Sequence, residues 1–145
     1  MLDVYCSNGF YRDVSVESSV NHFVKNGIDK IEISSGINSK ETLLFLKKMG
    51  SAGIKFRLHN YFPNLDKDFV LNLASKDDEL REMSKALVVR AIQWSSELDS
   101  DYYAFHAGFR ISPKPSELGG KLVVAEQVSF IESRDIFVDQ LSDIS

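Results

Sequence analysis

Four times in succession, a short run of alternating apolar and polar residues gives way to a stretch with helical spacing. That order restricts the fold more than any other feature of the chain. The first strand-like run, 2–7, ends at the turn signal Asn8-Gly9. Ser15 then stands as N-cap for a helix over 16–26, with Val16, Val20, Phe23 and Val24 at helical spacing and Asn26-Gly27 as the stop. A second strand over 30–34 closes at Ser35-Gly36, and a helix over 39–52 carries Leu43 and Leu46. The third strand, 54–59, puts Phe56 and Leu58 on one face and Lys55, Arg57 and His59 on the other. Ser75 is the expected N-cap of the third helix, whose stripe is Leu80, Met83, Leu87, Ala91, Trp94 and Leu98. The fourth strand is 102–106, followed by a Pro- and Gly-containing connection over 107–127. A short strand or hairpin is expected within 121–130, and a last helix from near Ser133 to Ile144.

Strand–helix repetition of this kind predicts an α/β fold of parallel strands joined by right-handed crossovers. Two architectures satisfy it, an open doubly wound sheet and a (β/α) barrel. No GxGxxG or GxxxxGK[ST] phosphate loop occurs in the sequence. Strands of an open sheet are covered on both faces and read as nearly all apolar. Here one face of the second to fourth strands carries Glu32, Arg57, His59 and His106. A polar inner face at strand ends suits the mouth of a TIM-type barrel, where barrel enzymes place their chemistry. A complete barrel takes about 250 residues. About four βα units in 145 residues therefore predict a half or truncated barrel, forming a single domain over 1–145.

Composition narrows the function classes. With 43 % hydrophobic and 11 % aromatic residues the chain is no disordered segment. A net charge of -4 disfavours a nucleic-acid platform, which needs clustered Lys and Arg. No run approaches the roughly 18 apolar residues of a membrane span, and the start Met1-Leu2-Asp3 has no signal-peptide character. The single cysteine, Cys6, forms no internal disulfide and reads as a small packing residue. A cytoplasmic location is the expectation.

Of the three histidines, His22 lies inside the first helix and reads as a packing residue. His59 and His106 each end a predicted strand. Neighbouring parallel strand ends lie about 5 Å apart, so two such imidazoles can face one metal ion or one substrate. Glu32, charged and facing inward, needs a partner such as Arg57 or a solvated mouth. A Glu32–Arg57 ion pair is the first expectation, and substrate contact by either residue the second. Trp94, Tyr102 and Tyr103 read as packing residues.

The run from His59 to Phe109 resembles the xylose isomerase-like barrel superfamily. That superfamily holds the sugar phosphate isomerases and epimerases together with the type IV apurinic endonucleases. The matching pieces are His59 at the end of a third strand, Asn72-Leu73-Ala74-Ser75 before a helix with Arg81 and Ser84, and a fourth strand ending His106-Ala107-Gly108. The resemblance implies that His59 and His106 are active-site residues, and in the endonuclease branch metal ligands. It departs from that branch in lacking a first-strand histidine, with Val4-Tyr5-Cys6-Ser7 there, and in reading His106-Ala107-Gly108 where His-Pro-Gly is usual. Asn60-Tyr61-Phe62-Pro63 is closer to the isomerase branch. Glu126 could stand for the glutamate that ends the family's fifth strand. No helix separates it from the fourth strand as a parallel crossover requires, which favours a hairpin.

The resemblance implies a sugar phosphate isomerase or epimerase, with metal-assisted proton transfer in the full-length form. His59 and His106 would be metal ligands, and Glu32, Arg57 and Asn60 substrate contacts. The cofactor would be divalent zinc, manganese or magnesium, held weakly or not at all by this chain, which alone would be inactive. Partners would be a sugar or sugar phosphate and a second copy joined through exposed strand edges, with neither nucleic acid nor membrane. The alternatives are an apurinic endonuclease-type phosphodiester hydrolase and a non-catalytic, self-associating half-barrel.

Overall fold

A computed structural model describes residues 4–11, 13–65, 67–118 and 127–145. They form two compact units, Met1–Asn64 with Arg90–Phe105 and Leu65–Val89 with His106–Ser145.

The first unit contains the sheet. Strands β1 (Cys6–Ser7), β2 (Lys30–Ile33), β3 (Lys55–His59) and β4 (Tyr103–Ala104) are all parallel and lie in chain order. Helix α1 (Val16–Lys25) links β1 to β2, and α2 (Thr42–Ser51) links β2 to β3. Side chains of a strand alternate between faces, and here the alternation is sharp. Ile31, Ile33, Phe56 and Leu58 are buried, while Lys30, Glu32, Arg57 and His59 between them are only partly covered. The buried face packs on Val16, Val20 and Phe23 of α1 and on Leu46 of α2. Trp94 and Leu98 join this core, with the Trp94 ring edge-on to Phe62 at 5.6 Å.

Local chemistry accounts for the helix ends. Ser15 caps α1 as expected, its hydroxyl accepting the Ser18 N–H. Helix α2 begins at Thr42 rather than 39, and Thr42 Oγ1 both accepts the Ser39 N–H and donates to Glu17 of α1. Helix α3 (Asp78–Glu97) begins after Asp77, whose carboxylate accepts the Leu80 N–H, so Asp77 does the capping expected of Ser75. Ser75 instead accepts the Asp77 N–H, one turn earlier. Helix α4 (Phe130–Ile144) likewise starts earlier than Ser133, because Ser129 accepts the Glu132 N–H. The buried stripe of α3 runs through Ser84, Leu87, Val88 and Ala91, with Leu80 and Met83 only half covered.

Strand β4 is shorter than predicted. Strand β3 ends at His59, whose register partner is Ala104, so pairing stops there and His106 lies two residues beyond the strand. Within the second unit a 3₁₀ turn spans Pro115–Glu117, and Arg110 and Val128 pair through the Val128 N–H and the Arg110 carbonyl at 2.8 Å. The expected hairpin residues 121–126, Glu126 included, lie outside the described residues.

Candidate functional site

The ends of β1 and β2 are held by one buried side chain. Asn8 Oδ1 accepts the N–H groups of Ser34 and Ser35, and its Nδ2 donates to Ser19 Oγ and the Ser35 carbonyl. Its own N–H reaches the Glu32 carbonyl at 3.0 Å. A fully used amide of this kind fixes the backbone that presents Glu32. The sequence shows Asn8 only as a turn residue.

On the polar face, Ser7, Glu32 and Arg57 share one register row. Glu32 and Arg57 do not pair, contrary to expectation. Glu32 Oε1 lies 3.2 Å from His59 Nδ1. Arg57 turns the other way: Nε and Nη2 donate to the two carboxylate oxygens of Asp101, at 2.8 and 2.5 Å. Its guanidinium lies over the rings of Tyr5 and Tyr102, 3.9 and 4.3 Å from their centroids, and Nη1 reaches the Tyr102 hydroxyl at 3.3 Å. The planar fork matches a carboxylate bidentately and its faces match aromatic rings, so Asp101 is the better partner. Hydrogen bonding from Arg57 holds the Asp101 carboxyl below its ordinary range, and the same bond holds the guanidinium more firmly protonated. Asp101, Tyr5 and Tyr102 were not legible as its partners, because the register of β3 against β4 is invisible in sequence.

Asn60 sits directly after β3 with φ at 53°, in the left-handed region that Asn tolerates. Its N–H donates to the Ala104 carbonyl at 2.7 Å, and its carbonyl accepts the Tyr103 hydroxyl. Burial pushes that phenol well above its ordinary value. Asn60 Oδ1 is buried and accepts no hydrogen bond from the described residues. A buried acceptor without a donor is costly unless a ligand or water supplies one.

The second unit carries His106, whose side chain is exposed. The loop that follows it is anchored on Asn72, which is fully buried. Asn72 Oδ1 accepts the N–H groups of Phe109 and Ala74, at 2.9 and 3.2 Å, and Nδ2 donates to the Ile111 carbonyl at 3.0 Å. The Asn72 N–H donates to Ser84 Oγ, which donates onward to the Leu80 carbonyl. Arg81 Nη1 holds the Ser75 carbonyl at 2.7 Å. Gly108 has φ at 138°, and a Cβ there would lie 2.3 Å from Asn72 Oδ1. The Asn72–Ser75 motif, Arg81, Ser84 and Gly108 are therefore one bracket, built to hold the loop after His106.

No family model matches the chain, and no curated protein matches it significantly. Solved structures do. An L-ribulose 3-epimerase superposes with a TM-score of 0.64 at 12 % identity, over 99 % of this chain and 45 % of that one. A D-psicose 3-epimerase, solved in the presence of D-fructose, gives 0.58 at 14 % identity over 95 % and 45 %. Endonuclease IV from Thermus thermophilus gives 0.52 at 13 % over 92 % and 46 %. The chain shares its fold with part of each of these three proteins. This chain spans a little under half the length of each of these structures, has four parallel strands among its described residues, and is a half-barrel.

In the half-barrel, Glu32 and His59 meet at the C-terminal end of the sheet, within the first unit, and Asn60 follows His59 directly in the chain. Arg57 lies in the same face but is committed to Asp101. His106 belongs to the second unit. Among the described residues no group of three or more His, Cys, Asp or Glu side chains is placed to hold a metal ion. No helix among them is long and apolar enough to cross a membrane.

Proposed function

We propose that the half-barrel supplies part of the active site of a sugar or sugar phosphate epimerase or isomerase. The observation that carries this reading is the Glu32–His59 pair at the end of a parallel strand, followed in the chain by Asn60, whose buried Oδ1 has no donor among the described residues, in a fold shared with an L-ribulose 3-epimerase and a D-psicose 3-epimerase. Barrel enzymes bind substrate at that end, and a sugar hydroxyl supplies the donor that Asn60 lacks. Glu32 and Asn60 are the proposed substrate-side contacts. Arg57, with its fork on Asp101 and two aromatic rings against its guanidinium, serves in this reading to hold Tyr5 and Tyr102 rather than to receive a phosphate.

An imidazole whose Nδ1 meets a carboxylate has the chemistry of a metal-ligating histidine. His59 fits a divalent zinc, manganese or magnesium ion in that respect, and His106 enters as a second ligand on the sequence resemblance. When bound, such an ion polarises a substrate carbonyl. Epimerisation beside that carbonyl removes a proton and returns it to the opposite face, which requires a base on either side of the carbon. Neither His59 nor Glu32 is free for that role in this reading, since each holds the other. A catalytic site of this class uses three protein ligands, so the chain alone is proposed to be inactive and to hold metal weakly.

The test assays ketose epimerisation and abasic-DNA cleavage, by this chain and by a polypeptide continued through four further strand–helix units. Epimerisation by the longer form alone, lost with metal content in both His59→Ala and His106→Ala, is the expected result. Abasic-site cleavage without epimerisation would transfer the chain to the endonuclease reading. A stoichiometric metal retained by the chain itself through dialysis would reveal a third ligand, with Glu126 the first to test.

The sheet ends at β1 and β4 among the described residues, and unpaired parallel edges invite pairing. Self-association through these edges belongs to the proposal. Light scattering at micromolar concentration should report a dimer or larger, and a strictly monomeric species would remove it.

A further inference from the structure

We propose that Glu32 is a positioning residue that sets the tautomer of His59. A carboxylate only accepts hydrogen bonds, and a neutral imidazole has one N–H. With Oε1 at 3.2 Å from Nδ1, the proton belongs on Nδ1 and the lone pair on Nε2. An imidazole side chain in water prefers the opposite arrangement, so the carboxylate reverses an intrinsic preference.

The sheet builds this contact and little else explains it. Glu32 and Arg57 are register partners, and His59 lies two residues further along β3 on the same face. The nearest cation to Glu32 in register is therefore Arg57, yet both carboxylate-matching nitrogens of Arg57 go to Asp101. Glu32 is left to the imidazole, with its backbone anchored by Asn8. As a stabilising ion pair the contact is weak: the side chains are 34 % and 24 % exposed, and histidine is charged only when protonated. To set the tautomer the contact has only to outweigh the small intrinsic preference of imidazole, which a hydrogen bond to a charged acceptor does. What that lone pair binds rests on the proposed function, whereas the tautomer itself does not.

The experiment is a long-range 1H–15N spectrum of the labelled, metal-free chain at about pH 8.5, well above the ordinary histidine pKa, with His59→Gln providing the assignment. His59 should show a protonated, pyrrole-type Nδ1 and a pyridine-type Nε2. Glu32→Gln, whose amide can donate to Nδ1 as well as accept from it, should raise the share of the Nε2–H form, and Glu32→Ala should revert to that form. A wild-type Nε2–H tautomer, or one unchanged in Glu32→Ala, overturns the proposal. Should Glu32→Ala fail to fold, the wild-type and Glu32→Gln spectra decide. A second arm titrates Zn²⁺ alone, where losing the carboxylate should weaken binding roughly 10–100-fold and the glutamine variant should recover part of it. If the wild-type chain shows the Nδ1–H form but binds no Zn²⁺, the metal reading fails while the role of Glu32 stands.

Discussion

Gly108→Ala should lower the melting temperature by roughly 5–15 °C, whereas Gly27→Ala should lower it by only a few degrees. Both glycines lie in the left-handed half of the backbone map, at φ 138° and 76°. Each therefore carries a backbone cost, about 1–3 kcal/mol for a residue forced into a sparsely populated region. The difference lies in what a Cβ meets. Nothing lies within 4 Å of it at Gly27, while at Gly108 it would be 2.3 Å from Asn72 Oδ1. Asn72 cannot yield cheaply, because it is fully buried and its amide serves three backbone groups. Overpacking adds about 1–3 kcal/mol, and each kcal/mol moves a chain of this size by a few degrees. Thermal melts followed by circular dichroism compare the two variants directly. Equal shifts would mean that the Asn72 bracket does not constrain the loop after His106.

Leu87→Asp should abolish soluble folded protein, while Lys85→Ala should leave it nearly unchanged. Leu87 is 1 % exposed in the middle of α3. Leu87→Ala alone should cost about 2–5 kcal/mol for lost contacts and the cavity left behind. A carboxylate there adds the cost of an unpaired buried charge, several kcal/mol more, against a total stability of about 5–15 kcal/mol. Lys85, two residues away, is half covered and pairs with Asp143 at 2.9 Å. An exposed pair of that kind is worth at most about 1 kcal/mol. Expression yield and chemical denaturation of both variants provide the measurement, and equal midpoints would show that the buried face of α3 is misassigned.

The architecture was readable from residue spacing, and so were Leu87 and Ala91 of the helix stripe behind that prediction, whereas Ser84 and Val88, which complete its buried part, were not. Alternation in Lys30–Ile33 and Lys55–His59 separates a buried apolar face from a polar one, and a polar face next to strand–helix repetition leaves few folds other than a barrel type. These features depend on residues within one turn or one strand of each other, so the chain's local order is enough to reveal them. Cap positions were less legible. Ser75 and Asp77 are both good capping residues two positions apart, and the choice between them depends on the path by which the chain enters α3.

Partnership between distant residues was decided only by the folded chain. Glu32 had Arg57 as its obvious counter-ion, yet it meets His59 while Arg57 takes Asp101, 44 positions along. Asn72 and Gly108 read as two pieces of one resemblance, and only in three dimensions do they become a contact that excludes a methyl group. Periodicity tells which face a side chain takes, because it follows from the geometry of a single element. Which neighbour it meets there depends on strand register and loop path, and those are set by packing among segments that the sequence keeps far apart.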